Sequence, residues 1–267
     1  MEAAGAAGEP MTLAHREAGA GAPIVLLHAF PLSGAMWQET LTQCGLRARV
    51  LAPDLPGFGR SARAAAPSIG GMADAVLEWL DETGVREPVV LGGLSMGGYV
   101  AFELVRRAAD RVRALVLCST RATADTPEQR QGRRSLISRI EREGLSAALA
   151  GMLPKLLGPT SLQASPRLVE QVRGWIGQAD RDGIVDALRA MADRRDATAT
   201  LPSLRCPALV VAGGEDALIL PAAAEAMARA LPAASLEVIP QAGHLVNLEQ
   251  PARFHGALSR FLSAVRS

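Results

Sequence analysis

Three cysteines in 267 residues, Cys44, Cys118 and Cys206, show no CxxC spacing and leave one over. An odd, scattered set excludes a disulfide framework and points to free thiols. Cys118 and Cys206 close apolar, strand-like runs, where a thiol behaves as a small buried hydrophobe. Net charge is also lacking: 28 basic residues against 27 acidic ones give +1. That balance offers no electrostatic footprint for nucleic acid or an anionic membrane. The basic residues are mostly Arg, many of them between Arg121 and Arg195, and read as solvated helical faces. No apolar run approaches the roughly 20 residues that a spanning helix needs. The first residues are rich in Ala and Gly, with no basic n-region and no long apolar core, so 1–11 reads as a disordered tail. The His, Cys and acidic residues show no ligand spacing, so no metal and no organic cofactor is implied. These absences leave a soluble, cytoplasmic chain whose partner is a small molecule.

Hydrophobic residues make up 49% of the chain, enough for one sizeable core with an inserted subdomain. Short, mainly apolar runs recur at 24–27, 50–52, 88–91, 112–118 and 208–212, and that at 24–27 is continuous, as expected of a strand buried on both faces; 236–239 reads as the last strand. Helical stripes separate them, among them Ala75, Val76, Trp79 and Leu80, and, at the end, Phe254, Leu258, Phe261, Leu262 and Val265. Strand alternating with helix argues a mostly parallel, doubly wound sheet, an α/β fold. The alternation stops between 121 and 200. That segment carries three helical faces, around Leu136 and Ile140, around Val172 and Trp175, and around Ile184 and Met191, and no convincing strand. It is expected to be an all-helical cap over the site, inserted into a core made of 12–120 and 201–267.

The stretch Gly93-Leu94-Ser95-Met96-Gly97 follows the apolar run Val89-Val90-Leu91 and opens a helical run. Strand, sharp turn with one Ser, then helix is the setting in which G-x-S-x-G forms a nucleophile elbow. A serine hydroxyl needs a base, and the base needs a carboxylate to fix its tautomer. Each is expected just past the C-terminal end of a later strand, where open parallel sheets place their sites. Of the four histidines, His244 stands in such a loop. His15 precedes the sheet, His28 ends the first buried strand and His255 lies in the last helix. Asp216 follows the run 208–212 in a Gly-rich turn, with Glu215 beside it pointing elsewhere. Asp125 is the competing acid. Backbone amides of Met96 and Phe30 are the candidate donors to an oxyanion, and His28 reads as a brace for the Phe30 loop.

Taken together, the segments 26–31, 54–61, 93–98, 213–216 and 242–244 resemble the α/β-hydrolase fold family, over about 12–265. The resemblance implies a serine hydrolase that cleaves a small, fairly apolar carboxylic ester through an acyl-enzyme. Ser95 would be nucleophile, His244 base, Asp216 its orienter, and Phe30 and Met96 the oxyanion amides. One departure is Ala29, where the family usually has Gly; the added methyl is expected to bear on the Phe30 amide or the acyl pocket. The cap resembles those of small esterases and enol-lactonases, and Met152, Leu156 and Trp175 are its candidate pocket residues. An enol-lactonase with Arg121 as the cation for a carboxylate is an alternative, as is a cofactor-free perhydrolase or haloperoxidase. An alternative of another class is a binding protein that keeps the fold without turnover.

Overall fold

The computed structural model describes residues 12–46 and 48–266; the expected tail over 1–11 lies outside them. Seven strands form the sheet: β1 (His15–Ala18), β2 (Pro23–Leu27), β3 (Arg49–Pro53), β4 (Val89–Leu94), β5 (Val112–Cys118), β6 (Ala208–Gly213) and β7 (Ala234–Ile239). The helices joining them are α1 (Gln38–Cys44), α2 (Ile69–Glu82), α3 (Met96–Arg107), α4 (Pro127–Glu143), α5 (Leu145–Leu149), α6 (Leu153–Leu156), α7 (Pro159–Ala164), α8 (Pro166–Gly177), α9 (Arg181–Ala192), α10 (Pro221–Ala230), α11 (Val246–Glu249) and α12 (Pro251–Arg266).

The strand order is β1-β3-β2-β4-β5-β6-β7. Only β1 is antiparallel to its neighbour; every other pairing is parallel. The apolar runs of the inner strands follow from this, whereas β7 at the edge is half-exposed. Successive side chains of a strand point to opposite faces, and helices cover both. In β2, Val25 and Leu27 join the cluster that holds Val76 and Trp79 of α2 and Val100 of α3. Ile24 and Leu26 join the cluster on the other face, with Leu41 of α1 and Phe254 and Leu258 of α12. In β5 the same alternation sends Leu115 and Leu117 one way and Ala114, Val116 and Cys118 the other.

Capping fixes where several helices begin. Ser68 accepts from the Gly71 amide at the start of α2, and Asp180 from the Gly183 amide at the start of α9. Thr126 and Gln129 cap α4 reciprocally, with Pro127 in its first turn. Between β5 and β6 the chain passes through α4 to α9 with no strand. The expected stripes of that segment fall on α4, α8 and α9; the short α5, α6 and α7 were not legible as separate helices.

Strand β1 is a finding that the sequence reading did not contain, since it placed His15 before the sheet. The segment His-Arg-Glu-Ala has no apolar alternation because it is a half-exposed edge, where polar side chains protect unpaired backbone groups. No helix of the described residues is long and apolar enough to cross a membrane.

The chain leaves β2 toward β3, then crosses back to lay β4 on β2's other side. That reversal opens a crevice at the C-terminal ends of β2 and β4, so the loops after Leu27 and Leu94 are neighbours. Phe254 ties the last helix to this frame: it is fully buried, with its ring 6.0 Å from that of Trp37. Phe254→Ala should cost about 3–5 kcal/mol of stability, read as a lower urea midpoint at unchanged slope. A loss below about 1 kcal/mol would show that α12 is not packed as described.

Candidate active site

Ser95 sits between β4 and α3 with φ 55° and ψ −112°, a conformation that L-residues rarely adopt. The neighbours hold it there. The Ser95 amide donates to Cys118 O of β5 at 2.9 Å, and Ser95 O accepts from Gly98 N and from the Thr120 hydroxyl, both at 2.9 Å. A side chain on Gly93 would strike the Gly97 backbone, and one on Gly97 would strike the backbone of Leu27. The two glycines are therefore required by close approach, as the pentapeptide suggested.

His244 follows β7 and is 2% exposed. Its Nδ1 lies 2.9 Å from Oδ2 of Asp216, which is also buried. The other Asp216 oxygen accepts from the amides of Leu218 and Ile219 at 2.9 and 3.0 Å. With both oxygens bonded, the carboxylate cannot rotate without losing partners, and the imidazole is fixed through it. Glu215 does point elsewhere: it accepts from the amide and hydroxyl of Thr160 at the start of α7. Asp125 is not available as the acid. Its carboxylate accepts from Arg121 at 2.6 Å, Arg133 at 2.5 Å and Arg194 at 2.6 Å. Burial pushes its pKa up, but the bonds and charges of Arg133 and Arg194 outweigh that and hold it below the ordinary carboxylate value.

The loop after β2 is braced by His28, which is fully buried. Its Nε2 accepts from the Leu55 amide at 2.9 Å, so Nδ1 carries the proton and donates to Ala29 O at 3.0 Å. The Leu55 contact requires the neutral ring, and burial pushes its pKa down to about 4. Among the described residues, neither the Phe30 nor the Met96 amide donates to a protein acceptor. Ala29 does not narrow the pocket: its methyl lies in the apolar cluster with Met36 and Trp37, and its amide donates to Met36 Sδ.

A cavity of about 490 Å³ brings Ser95, His244 and Phe30 together. Asp216 stands behind His244, outside the lining. Tyr99, Leu188, Met191, Leu218 and Ile219 add to the walls, and α4 lays Gln129, Arg133, Leu136 and Arg139 along one side at helical spacing. Of the expected cap residues Met152 lines the cavity, whereas Leu156 is buried in the core and Trp175 lies away from the lining. Arg121 lines it as expected, yet its Nη2 is held by Asp125 and Gln129. The cavity role of Arg133, Arg139 and Lys155 was missed. The one signal was the spacing of Gln129, Arg133 and Arg139 along α4. No group of three or more His, Cys, Asp or Glu side chains able to hold a metal ion occurs among the described residues.

A model of the alpha/beta hydrolase family matches residues 24–257. The chain is 30% identical over 255 residues to the dihydrolipoyllysine-residue acetyltransferase component of the acetoin cleaving system of Pseudomonas putida. It covers 91% of this chain and spans 64% of that relative. Among solved structures it is similar to a thermophilic esterase from Thermogutta terrifontis in a malate-bound form, at 40% identity and a TM-score of 0.92, covering 96% and 94% of the two chains. It is also similar to the enol-lactonase from Burkholderia xenovorans LB400, at 26% identity and a TM-score of 0.86, covering 94% and 96%.

The brace sets a pH dependence. The folded pKa of His28, about 4, lies below the ordinary 6.5, so the unfolded chain binds more protons between these values. The stability it contributes is whole above pH 6.5 and is lost as pH falls toward 4. Denaturant midpoints from pH 7 to 4.5 should therefore fall less steeply in His28→Asn than in wild type. Parallel curves would remove His28 as a source of acid sensitivity.

Proposed function

The chain belongs to the alpha/beta hydrolase family, and on that premise we propose that it is a serine hydrolase acting on a carboxylic ester of a small molecule. The observation that carries this reading is the 2.9 Å contact of His244 Nδ1 with Asp216, made by a histidine that lines one cavity with Ser95. Similarity to an esterase at 40% identity over nearly the whole chain supports it.

In this reading His244 Nε2 takes the Ser95 proton as Oγ attacks the ester carbonyl. Asp216 holds Nδ1–H and stabilises the imidazolium that forms. The amides of Phe30 and Met96 donate to the oxyanion, a pair in which one donor is typically worth about 3–4 kcal/mol. The imidazolium then protonates the leaving alcohol, and water activated by His244 releases the acid from the acyl-enzyme. The segment 121–200 acts as a cap that walls the cavity from solvent, set into a core formed by 12–120 and 201–267. Three unpaired cysteines fit work in the reducing cytoplasm. A second reading, hydrolysis of a lactone by the same residues, is supported by the similarity to an enol-lactonase.

Wild type should release p-nitrophenolate from p-nitrophenyl hexanoate and be labelled by a fluorophosphonate. Ser95→Ala should lose both. Turnover that survives Ser95→Ala, or a wild type that neither turns over nor labels, would reject the proposal. Asp216→Asn should keep the fold and lower kcat by roughly 10⁴, because the wrong tautomer is then favoured. A change under about tenfold would remove Asp216 from the reaction.

A further inference from the structure

The cavity is charged unevenly. Arg121, Arg133, Arg139 and Lys155 line it, and no Asp or Glu among the described residues does. The chain as a whole carries 28 basic and 27 acidic residues, so a run of four cations without one acid departs from its own balance. Lys155 is the single lysine of the chain.

Pairing does not remove the excess. Arg121, Arg133 and Arg194 share the one carboxylate of Asp125, and Asp196 adds its charge near Arg194, so the cations of that cluster still outnumber its acids. Arg121 is bonded only through Nη2, and its Nε–H is buried without a partner. Arg139 is held loosely, by Glu143 at 3.4 Å and Ala147 O at 3.5 Å. The ammonium of Lys155 makes no hydrogen bond or ion pair among the described residues. Leu136, Met152, Leu188 and Met191 supply apolar wall beside these charges. Cations beside low-dielectric wall attract an anion more strongly than the same groups in water, and guanidinium matches a carboxylate in shape as well as charge.

We propose that this side of the cavity is a carboxylate subsite, formed by Arg139 and Lys155 at its exposed edge with Arg121 and Arg133 behind them. The preferred ester then carries a free carboxylate, separated from the scissile carbonyl by a short apolar spacer. This replaces the expectation of a fairly apolar substrate, and it rests on the reading of Ser95 and His244 as an ester-cleaving pair.

The test compares matched esters. The first pair is the p-nitrophenyl monoester of adipate against p-nitrophenyl hexanoate. The second is 4-carboxyphenyl butyrate against 4-carbamoylphenyl butyrate, which puts the charge on the leaving group. In wild type the kcat/KM ratio of charged to neutral ester should exceed one for at least one pair. The ratio should fall at least tenfold in Arg139→Met/Lys155→Met, be restored toward wild type when residue 155 is changed by Lys155→Arg instead, and shrink at high salt. Ratios at or below one for both pairs, or a ratio unchanged in the double variant, overturn the subsite while leaving ester hydrolysis standing. If wild type cleaves no ester, the hydrolase reading fails, and calorimetry with adipate and adipamide decides the subsite. Tighter binding of adipate, weakened at least tenfold in the double variant, supports it. Equal binding of the two, or no effect of the double variant, overturns it.

Discussion

Everything above the sheet depends on how closely backbone can approach backbone at the end of β4. Ser95 holds a left-handed φ because α3 begins immediately beneath it and β2 and β5 press from either side. Gly97 lies against the Leu27 carbonyl, Gly93 against Gly97, and Gly98 against the Thr120 side chain. That packing leaves the serine no ordinary conformation and turns its side chain out of the sheet. The strain, of order 1–3 kcal/mol for such a residue, is sustained by the bonds to Cys118 and Thr120. The same packing starts α3 at Met96, so an unpaired helical amide stands next to the hydroxyl.

Around this point the two ion clusters divide the work by burial and partners. Asp216 has one histidine and two amides, and so keeps one well-oriented acceptor for the imidazole. Asp125 has three guanidiniums, and its charge is spent on structure: it joins Arg121 at the end of β5 to Arg133 of α4 and to Arg194 beyond α9. Arg194 lies over the Tyr99 ring at 4.0 Å, which carries the link down to α3. Buried ions stabilise little in net terms, yet removing one partner leaves the others uncompensated. The cluster therefore fixes where the helices between β5 and β6 sit over the sheet.

Much of this was legible in the chain. The inner strands showed themselves because both faces are covered, which makes each a mainly apolar run, and the elbow because its glycines are demanded by contact; the edge strand β7 leaves Leu236 and Val238 exposed. His244 and Asp216 could be located because parallel sheets collect such groups at one edge; the structure brings them to 2.9 Å. Other parts left no local trace. The edge strand β1 is polar by necessity. The short helices α5 to α7 are too brief for a periodic stripe. The arginines of α4 looked like a solvated face, because a helix lining a polar-walled cavity and a helix facing bulk water share the same composition. Only the fold distinguishes them.

The contacts of Glu215 and Glu249 carry a consequence for exchanging parts between relatives. Glu215 holds Thr160, and Glu249 holds the Gly158 amide at 2.8 Å and the Leu245 amide at 3.1 Å. Gly158 and Gly243 lie so close that neither has room for a side chain. The segment before α7 is thus stitched to the turns on either side of the histidine and its acid. A transplanted 121–200 segment would bring new residues to that seam as well as to the cavity wall, and so disturb the site from two sides. The transferable module is therefore the helical segment between β5 and β6 together with Glu215 and Glu249, and a graft cut at 121 and 200 alone divides a single mechanical part.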